Sequence, residues 1–157
     1  MLDSPTREHL DTLHQAMADG DFLVLTGAGI STPSGIPDYR DSEGVRRGRQ
    51  PMMYQEFLAA PESRRRYWAR AMLGWPRVRQ ARPNAAHQAL AELQRRGLIN
   101  ALITQNVDNL HERAGSKRLL HMHGELQSML CSNSQQRFPL LEDMPVTQPC
   151  TCCGLVG

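Results

Sequence analysis

Four consecutive apolar residues, Phe22-Leu23-Val24-Leu25, lead through Thr26 straight into Gly27-Ala28-Gly29. An unbroken run of this length suits a strand buried on both faces of a parallel sheet better than an alternating surface strand. A glycine-rich turn at the carboxyl end of such a strand is how doubly wound nucleotide-binding folds begin. Glycine lets the backbone approach a pyrophosphate, and amides at the following helix start donate to it. Taken alone, the pattern describes a structural tight turn nearly as well.

The rest of the chain supplies matching elements. Leu10, Leu13, Ala16 and Met17 recur at helical spacing and predict a helix over 6–19, broken at Asp19-Gly20-Asp21. Residues 38–53 are polar, contain Gly44, Gly48 and Pro51, and predict a long mobile loop, followed by a largely helical stretch over 54–75. Pro83-Asn84 opens a helix that runs to Arg96 and is capped by Gly97. Residues 98–104 predict a second buried strand and 119–121 a third. From Met129 onward the pattern dissolves into Ser, Gln, Pro and Cys. Strands alternating with helices argue for α/β architecture on a parallel sheet.

Composition narrows the class of function. With 40% hydrophobic and 22% charged residues, the chain has the make-up of a folded domain rather than a disordered one. A net charge of +2 gives no footprint for a nucleic-acid or membrane partner, and neither is expected. The arginine runs at Arg46-Arg47-Gly48-Arg49 and Arg64-Arg65-Arg66 read as solvated faces. No apolar stretch approaches the ~20 residues that cross a bilayer. Residues 1–7 lack the build of a signal peptide, so the expected compartment is the cytoplasm. All four cysteines, Cys131, Cys150, Cys152 and Cys153, fall near the end of the chain. They cannot frame the whole fold, and clustering without an export signal suggests metal more than disulfide.

Three further constellations carry chemistry. Thr104-Gln105-Asn106-Val107-Asp108-Asn109-Leu110-His111 lies at the carboxyl end of a buried strand, where open α/β sheets place ligands. Asn106 and Asp108 offer an amide and a carboxylate that can bond a carboxamide from both sides, or else cap the next helix. His121-Met122-His123-Gly124 sets two histidines on one side of a strand, a pattern that suits packing, metal or base chemistry. Cys150-Thr151-Cys152-Cys153 contains the C-x2-C spacing that lets two thiolates share a tetrahedral zinc.

These motifs, in this order, resemble the sirtuin family. Gly27-Ala28-Gly29-Ile30-Ser31 followed by Ser34-Gly35-Ile36-Pro37-Asp38-Tyr39-Arg40 is similar to the first signature of that family, and 104–111 to the second. Residues 66–70, 74–76 and 82–87 resemble class II members, and the resemblance spans nearly the whole chain. It implies an α/β fold with a Rossmann-like parallel sheet and a small zinc-binding and helical module. The implied activity is NAD-dependent protein-lysine deacetylation or deacylation. The acyl-lysine oxygen displaces nicotinamide from NAD, a histidine acts as general base on a ribose hydroxyl, and water releases lysine and O-acyl-ADP-ribose.

Carried onto this sequence, the resemblance assigns Gly27, Ala28, Gly29, Ile30 and Ser31 to the cofactor turn, with Ala28, Gly29 and Ser31 at the phosphates. Asp38, Tyr39 and Arg40 would begin the cofactor loop. Ile36, Asn106 and Asp108 would line the nicotinamide pocket, and Gln105 would face the nicotinamide ribose. His123 would be the catalytic base and His121 incidental. Zinc would be structural, held by Cys131, Cys150 and Cys153. Ser134 stands where the family has a fourth cysteine, and a neutral hydroxyl is a poor zinc ligand beside thiolates. Cys152 as a substitute is expected to be strained beside Cys153. Tyr67 and Arg70 form a Y-x-x-R pair, which in another sirtuin class binds acyl carboxylates; an ordinary helix face gives the same spacing.

The expected division is 1–40 as the start of the Rossmann-like domain, 41–82 as cofactor loop and helical part of the small domain, 83–128 as the return to the first domain, and 129–157 as a partial zinc module. The family pattern continues past Gly157 with strands that complete the sheet and hold the adenosine half of NAD. The expectation is therefore a truncated chain with impaired activity and possible association through its unfinished sheet. Two other readings stay open: an inactive relative or binding-only fragment, and a protein ADP-ribosyltransferase. The expected partners are acyl-lysine proteins.

Overall fold

The structure is a computed structural model that describes residues 4–17, 22–40, 43–45, 48, 50–140 and 152–153. Cys150, the arginines at 46, 47 and 49, and the break at Asp19-Gly20-Asp21 lie outside the described residues. Helix α1 spans Ser4–Met17 and strand β1 Phe22–Thr26; a 3-10 segment follows over Ala28–Ser34. Helices α2 (Tyr54–Ala59), α3 (Pro61–Gln80) and α4 (Ala85–Arg95) precede strand β2, Ile99–Thr104. Helix α5 is Leu110–Ala114 and strand β3 Leu119–His121; two short strands, β4 (Ser128–Leu130) and β5 (Arg137–Pro139), come last.

Strands β1, β2 and β3 form one parallel sheet in that order. Thr26 stands opposite Thr104, and Thr104 opposite His121, so the three carboxyl ends meet at one rim. The expected α/β architecture with a Rossmann-like parallel sheet is observed. Ile99, Leu102 and Leu110 are fully buried where α4 packs against β2 and α5. Each such side chain contributes about 1.5–3 kcal/mol relative to exposure.

Burial corrects one expectation. The 22–25 run suggested burial on both faces, yet Leu23 is 60% and Leu25 58% exposed. Leu25 aligns with Ile103 and Leu120 across the sheet, and Leu120 is also exposed. One face of this sheet is therefore open among the described residues.

The helices differ in detail from the sequence reading. Extended backbone at Ala60 divides the helical stretch over 54–75, and Pro61 restarts it at the first helical position, where its missing N–H costs nothing. Helix α3 then continues through Pro76 to Gln80. Helix α4 begins as expected at Asn84, whose side chain accepts from the Ala86 and His87 amides, and Gly97 follows it in the left-handed conformation. Beyond Met129 the chain is not patternless: β4 and β5 pair antiparallel, and strands of three residues are too short for alternation to register. No helix among the described residues is long and apolar enough to cross a membrane.

Candidate active site and thiol cluster

The rim of the sheet gathers the two expected loops. Ser31, fully buried, donates its hydroxyl to Asp108 Oδ2 at 2.6 Å and accepts from Asn106 Nδ2 at 3.0 Å. Asp108 Oδ1 in turn accepts the Leu110 amide at 3.0 Å, which starts α5. The helix-cap reading of Asp108 is thus realised on one carboxylate oxygen, and the other oxygen is held by Ser31. Ser31 faces these two side chains, so its hydroxyl is engaged with the pocket pair that the sequence set aside for nicotinamide.

The glycine turn leaves room. A side-chain carbon added at Gly27 or Gly29 would meet nothing within 4 Å, and neither residue needs a left-handed backbone. Packing among the described residues does not require glycine there, and a bare backbone of this kind can admit a phosphate. Ala28 is half-buried beside them. Ile30 is tied by its own backbone: its amide donates to Gly27 O at 3.1 Å and its carbonyl accepts from Asn84 Nδ2 at 2.7 Å. Asn84 also donates to Ser34 Oγ at 2.9 Å, so the first turn of α4 braces the cofactor turn. Sequence reasoning saw in Asn84 only a helix cap.

Ile36 and Asp38 line an open pocket of about 310 Å³ with Thr32, Gly35, Pro37 and Arg77. Arg77 was not foreseen; its Nε donates to Gly35 O at 2.9 Å, pinning α3 against the loop. Asn106 and Asp108 are not among the lining residues of this pocket. Tyr39 is 70% exposed, and Arg40 donates to Gly44 O at 2.7 Å.

His123 follows β3, and its ring Nδ1 lies 3.0 Å from the Gln105 carbonyl. A carbonyl only accepts, so Nδ1 carries the proton and Nε2 of the neutral ring keeps a lone pair. His123 is exposed. His121 bonds Glu112 through Nε2 at 2.5 Å. His121 Nδ1 also lies 3.5 Å from the Asn106 carbonyl, so both histidines reach the 104–108 turn and His121 reaches α5 as well.

Beneath the turn lies a layer that the sequence did not disclose. Thr26 Oγ1 donates to Thr104 Oγ1 at 2.9 Å and contacts His111 Nε2 at 2.9 Å. Thr104 Oγ1 accepts the Asn106 amide at 3.1 Å. Burial, with the neighbouring His87 second, holds the His111 imidazole down at about 4.

The sulfur atoms of Cys131, Cys152 and Cys153 lie within 4.8 Å of one another, and Cys131 and Cys153 are 3.6 Å apart. Thiolates about 2.3 Å from a tetrahedral zinc would be separated on this scale. The Ser134 hydroxyl, followed by the Ser134 and Asn133 amides, holds the Cys131 thiol down to about 5, which favours the ligating thiolate. Ser134 Oγ lies 3.0 Å from Cys152 Sγ. Cys152, set aside on sequence as strained, is within the cluster. Among the described residues the donor set fits a metal through three sulfurs.

A parallel-sheet rim with this glycine turn and this Asn-Asp pair, together with a cysteine cluster, defines a class of protein. The Sir2 family model matches residues 27–156, and the chain belongs to that family. It is 64% identical over 137 residues to NAD-dependent protein deacetylase 3 of Pseudomonas syringae pv. tomato, covering 87% of this chain and 49% of that protein. It is 50% identical over 127 residues to NAD-dependent protein deacetylase 1 of Streptomyces coelicolor, covering 81% of this chain and 42% of the relative. A solved Sir2–p53 peptide–NAD+ structure superposes with a TM-score of 0.71 at 38% identity, over 85% of this chain and 55% of that one. A Sir2 bound to acetylated peptide gives 0.68 at 38% identity, with the same coverage. The chain spans about half the length of the curated relatives it matches.

Proposed function

We propose that this chain carries the nicotinamide side of an NAD-dependent protein-lysine deacylase site. The observation that carries the proposal is the hydrogen bond from His123 Nδ1 to the Gln105 carbonyl, which leaves Nε2 basic beside the turn that bears Asn106 and Asp108. NAD, when bound, would supply the electrophilic ribose carbon that the acyl-lysine oxygen attacks as nicotinamide leaves. His123 Nε2 takes a proton from a hydroxyl presented to it; an imidazole is suited to that work near neutral pH. Asn106 and Asp108 orient a carboxamide by opening their bonds to Ser31. Gly27, Ala28 and Gly29 admit the phosphates, with Ile30 holding the turn; Ile36, Asp38, Tyr39 and Arg40 form the loop side, and Gln105 the ribose side. An acyl-lysine protein is the substrate, a reading supported by the peptide-bound relatives.

Cys131, Cys152 and Cys153 would hold a structural zinc, with Cys150 as a further thiol outside the described residues. The cluster brings Cys131, after β4, together with Cys152 and Cys153. Cysteines gathered at metal-ligand spacing, rather than spread as a disulfide framework, support a cytoplasmic setting. The parallel sheet over 22–121 and the cysteine region after 129 are compatible with the division at 40, 82 and 128. The open face bearing Leu25 and Leu120 supports association of the isolated chain.

The test is nicotinamide release from NAD in the presence of an acetyl-lysine peptide. The 157 residues alone should turn over slowly, because binding energy remote from the reacting bond sets rate as well as affinity. His123→Ala should abolish that turnover while NAD still binds. Equal turnover by His123→Ala would remove His123 from the mechanism.

A further inference from the structure

Helix α3 packs chiefly against α2, and its last turn is tied to the loops at the sheet rim by hydrogen bonds. Arg77, in that turn, donates through Nε to the Gly35 carbonyl at 2.9 Å, 42 positions back along the chain. The Ala81 amide donates to the Arg77 carbonyl at 3.1 Å, and the Ala81 carbonyl accepts from Arg113 Nη1 of α5 at 2.6 Å. The end of α3 is thus held from two sides, by the turn after β1 and by α5.

Gly35 is where the chain leaves the 3-10 segment for the loop. Its backbone is left-handed, at φ 86°, a conformation that glycine adopts without steric cost. The Gly35 amide donates to Thr32 O at 3.0 Å, and the Ile36 amide to Ser31 O at 3.3 Å. Those bonds close the segment on itself, and the Gly35 carbonyl is left for Arg77. Ile36, Pro37 and Asp38 follow at once and line the open pocket together with Arg77.

These bonds join end to end. The Ser31 hydroxyl holds Asp108, and Asp108 starts α5. Arg113 of α5 holds Ala81, which closes α3. Arg77 of α3 holds Gly35, and the Ile36 amide returns to Ser31. We propose that Arg77 is a positioning residue for the cofactor loop, its Nε–H closing this ring of hydrogen bonds and fixing the point from which 36–40 departs. The bearing on NAD rests on the reading of 27–40 as cofactor turn and loop; the ring of bonds does not.

Arg77 is exposed, and a surface arginine is ordinarily valued for its charge. Here the bond is made by the N–H nearest the stem, to a neutral carbonyl. The loop therefore uses the donor at Nε and not the charge, which separates two substitutions. Glutamine carries its amide nitrogen on Cδ, the atom that carries Nε in arginine, so Arg77→Gln keeps an N–H in the same place without the charge. Arg77→Met keeps the length of the stem and removes the donor.

Backbone amide exchange in the ligand-free chain is the first reading. Arg77→Met should speed exchange at Gly35 and Ile36 by roughly three- to tenfold, the net worth of one hydrogen bond, and Arg77→Gln should restore the slow rates. Titration with NAD is the second. Arg77→Met should weaken binding by a similar factor, and Arg77→Gln should bind as the unmodified chain does. Exchange that rises only within 73–81, or evenly through β1 and β2 as well, would overturn the proposal. So would an Arg77→Gln that behaves like Arg77→Met, since the effect would then belong to the charge. NAD affinity untouched by Arg77→Met would show that the ring positions nothing the cofactor uses. If the unmodified chain binds no NAD at all, the function reading fails while amide exchange still decides the ring.

Discussion

The Ser31 hydroxyl donates to the Asp108 carboxylate at 2.6 Å across 77 positions of sequence, joining the turn after β1 to the turn after β2. A hydrogen bond to a charged acceptor in a buried place is among the stronger ones. It therefore holds the two halves of the proposed site at a fixed separation.

Ser31→Ala should destabilise the chain by about 1–3 kcal/mol, because Asp108 Oδ2 and Asn106 Nδ2 both lose this buried partner. Urea denaturation measures this. A change within a few tenths of a kcal/mol would mean that the two side chains re-pair elsewhere.

Asn84→Ala removes the cap of α4 and the brace on the cofactor turn together. The cap alone is worth about 0.5–2 kcal/mol. Loss of the bonds to Ile30 O and Ser34 Oγ should also raise amide exchange through 28–34. Exchange confined to 85–88 would show that Asn84 serves only its own helix.

Acid should act through the buried histidines. His111 has an ordinary value of 6.5 and sits at about 4 when folded; His87 is lowered too. Between those values the unfolded chain binds a proton that the folded chain does not. Stability attributable to His111 is thus complete above about 6.5 and declines as pH falls towards 4, by on the order of 3 kcal/mol. His111→Gln should flatten this part of the profile of urea midpoint against pH. An unchanged slope would assign the acid sensitivity to other groups.

Zinc should bind through Cys131, Cys152 and Cys153, and Cys152→Ser should weaken it at least tenfold. Ser134→Cys should tighten it, since a further thiolate closes the site. Competition with a chelator of known affinity reads both. Affinity unaffected by Cys152→Ser would return the ligand role to Cys150.

Much of this site was legible in the sequence because its parts are local. The run at 22–25, the glycine turn, Asn106, Asp108 and His123 each announce themselves by neighbours along the chain. What escaped depends on approach in space. Thr26 and Thr104 read as ordinary strand residues until their register sets them opposite each other. His87 read as a helix residue and His111 as part of a motif, yet their buried rings lie in contact across 24 residues of chain. Cys152 was set aside on covalent adjacency to Cys153, but the turn there brings both sulfurs near Cys131. The same limit explains Leu23 and Leu25: an apolar strand states that cover is needed and does not supply it.

The most direct test of the central claim is a titration of the chain with NAD followed by backbone amide resonances. Binding should be weak, and the shifts should concentrate in 27–36, 104–108 and 121–124, with Asp108→Ala abolishing them. Shifts that fall mainly elsewhere, or that survive Asp108→Ala unchanged, would contradict the account.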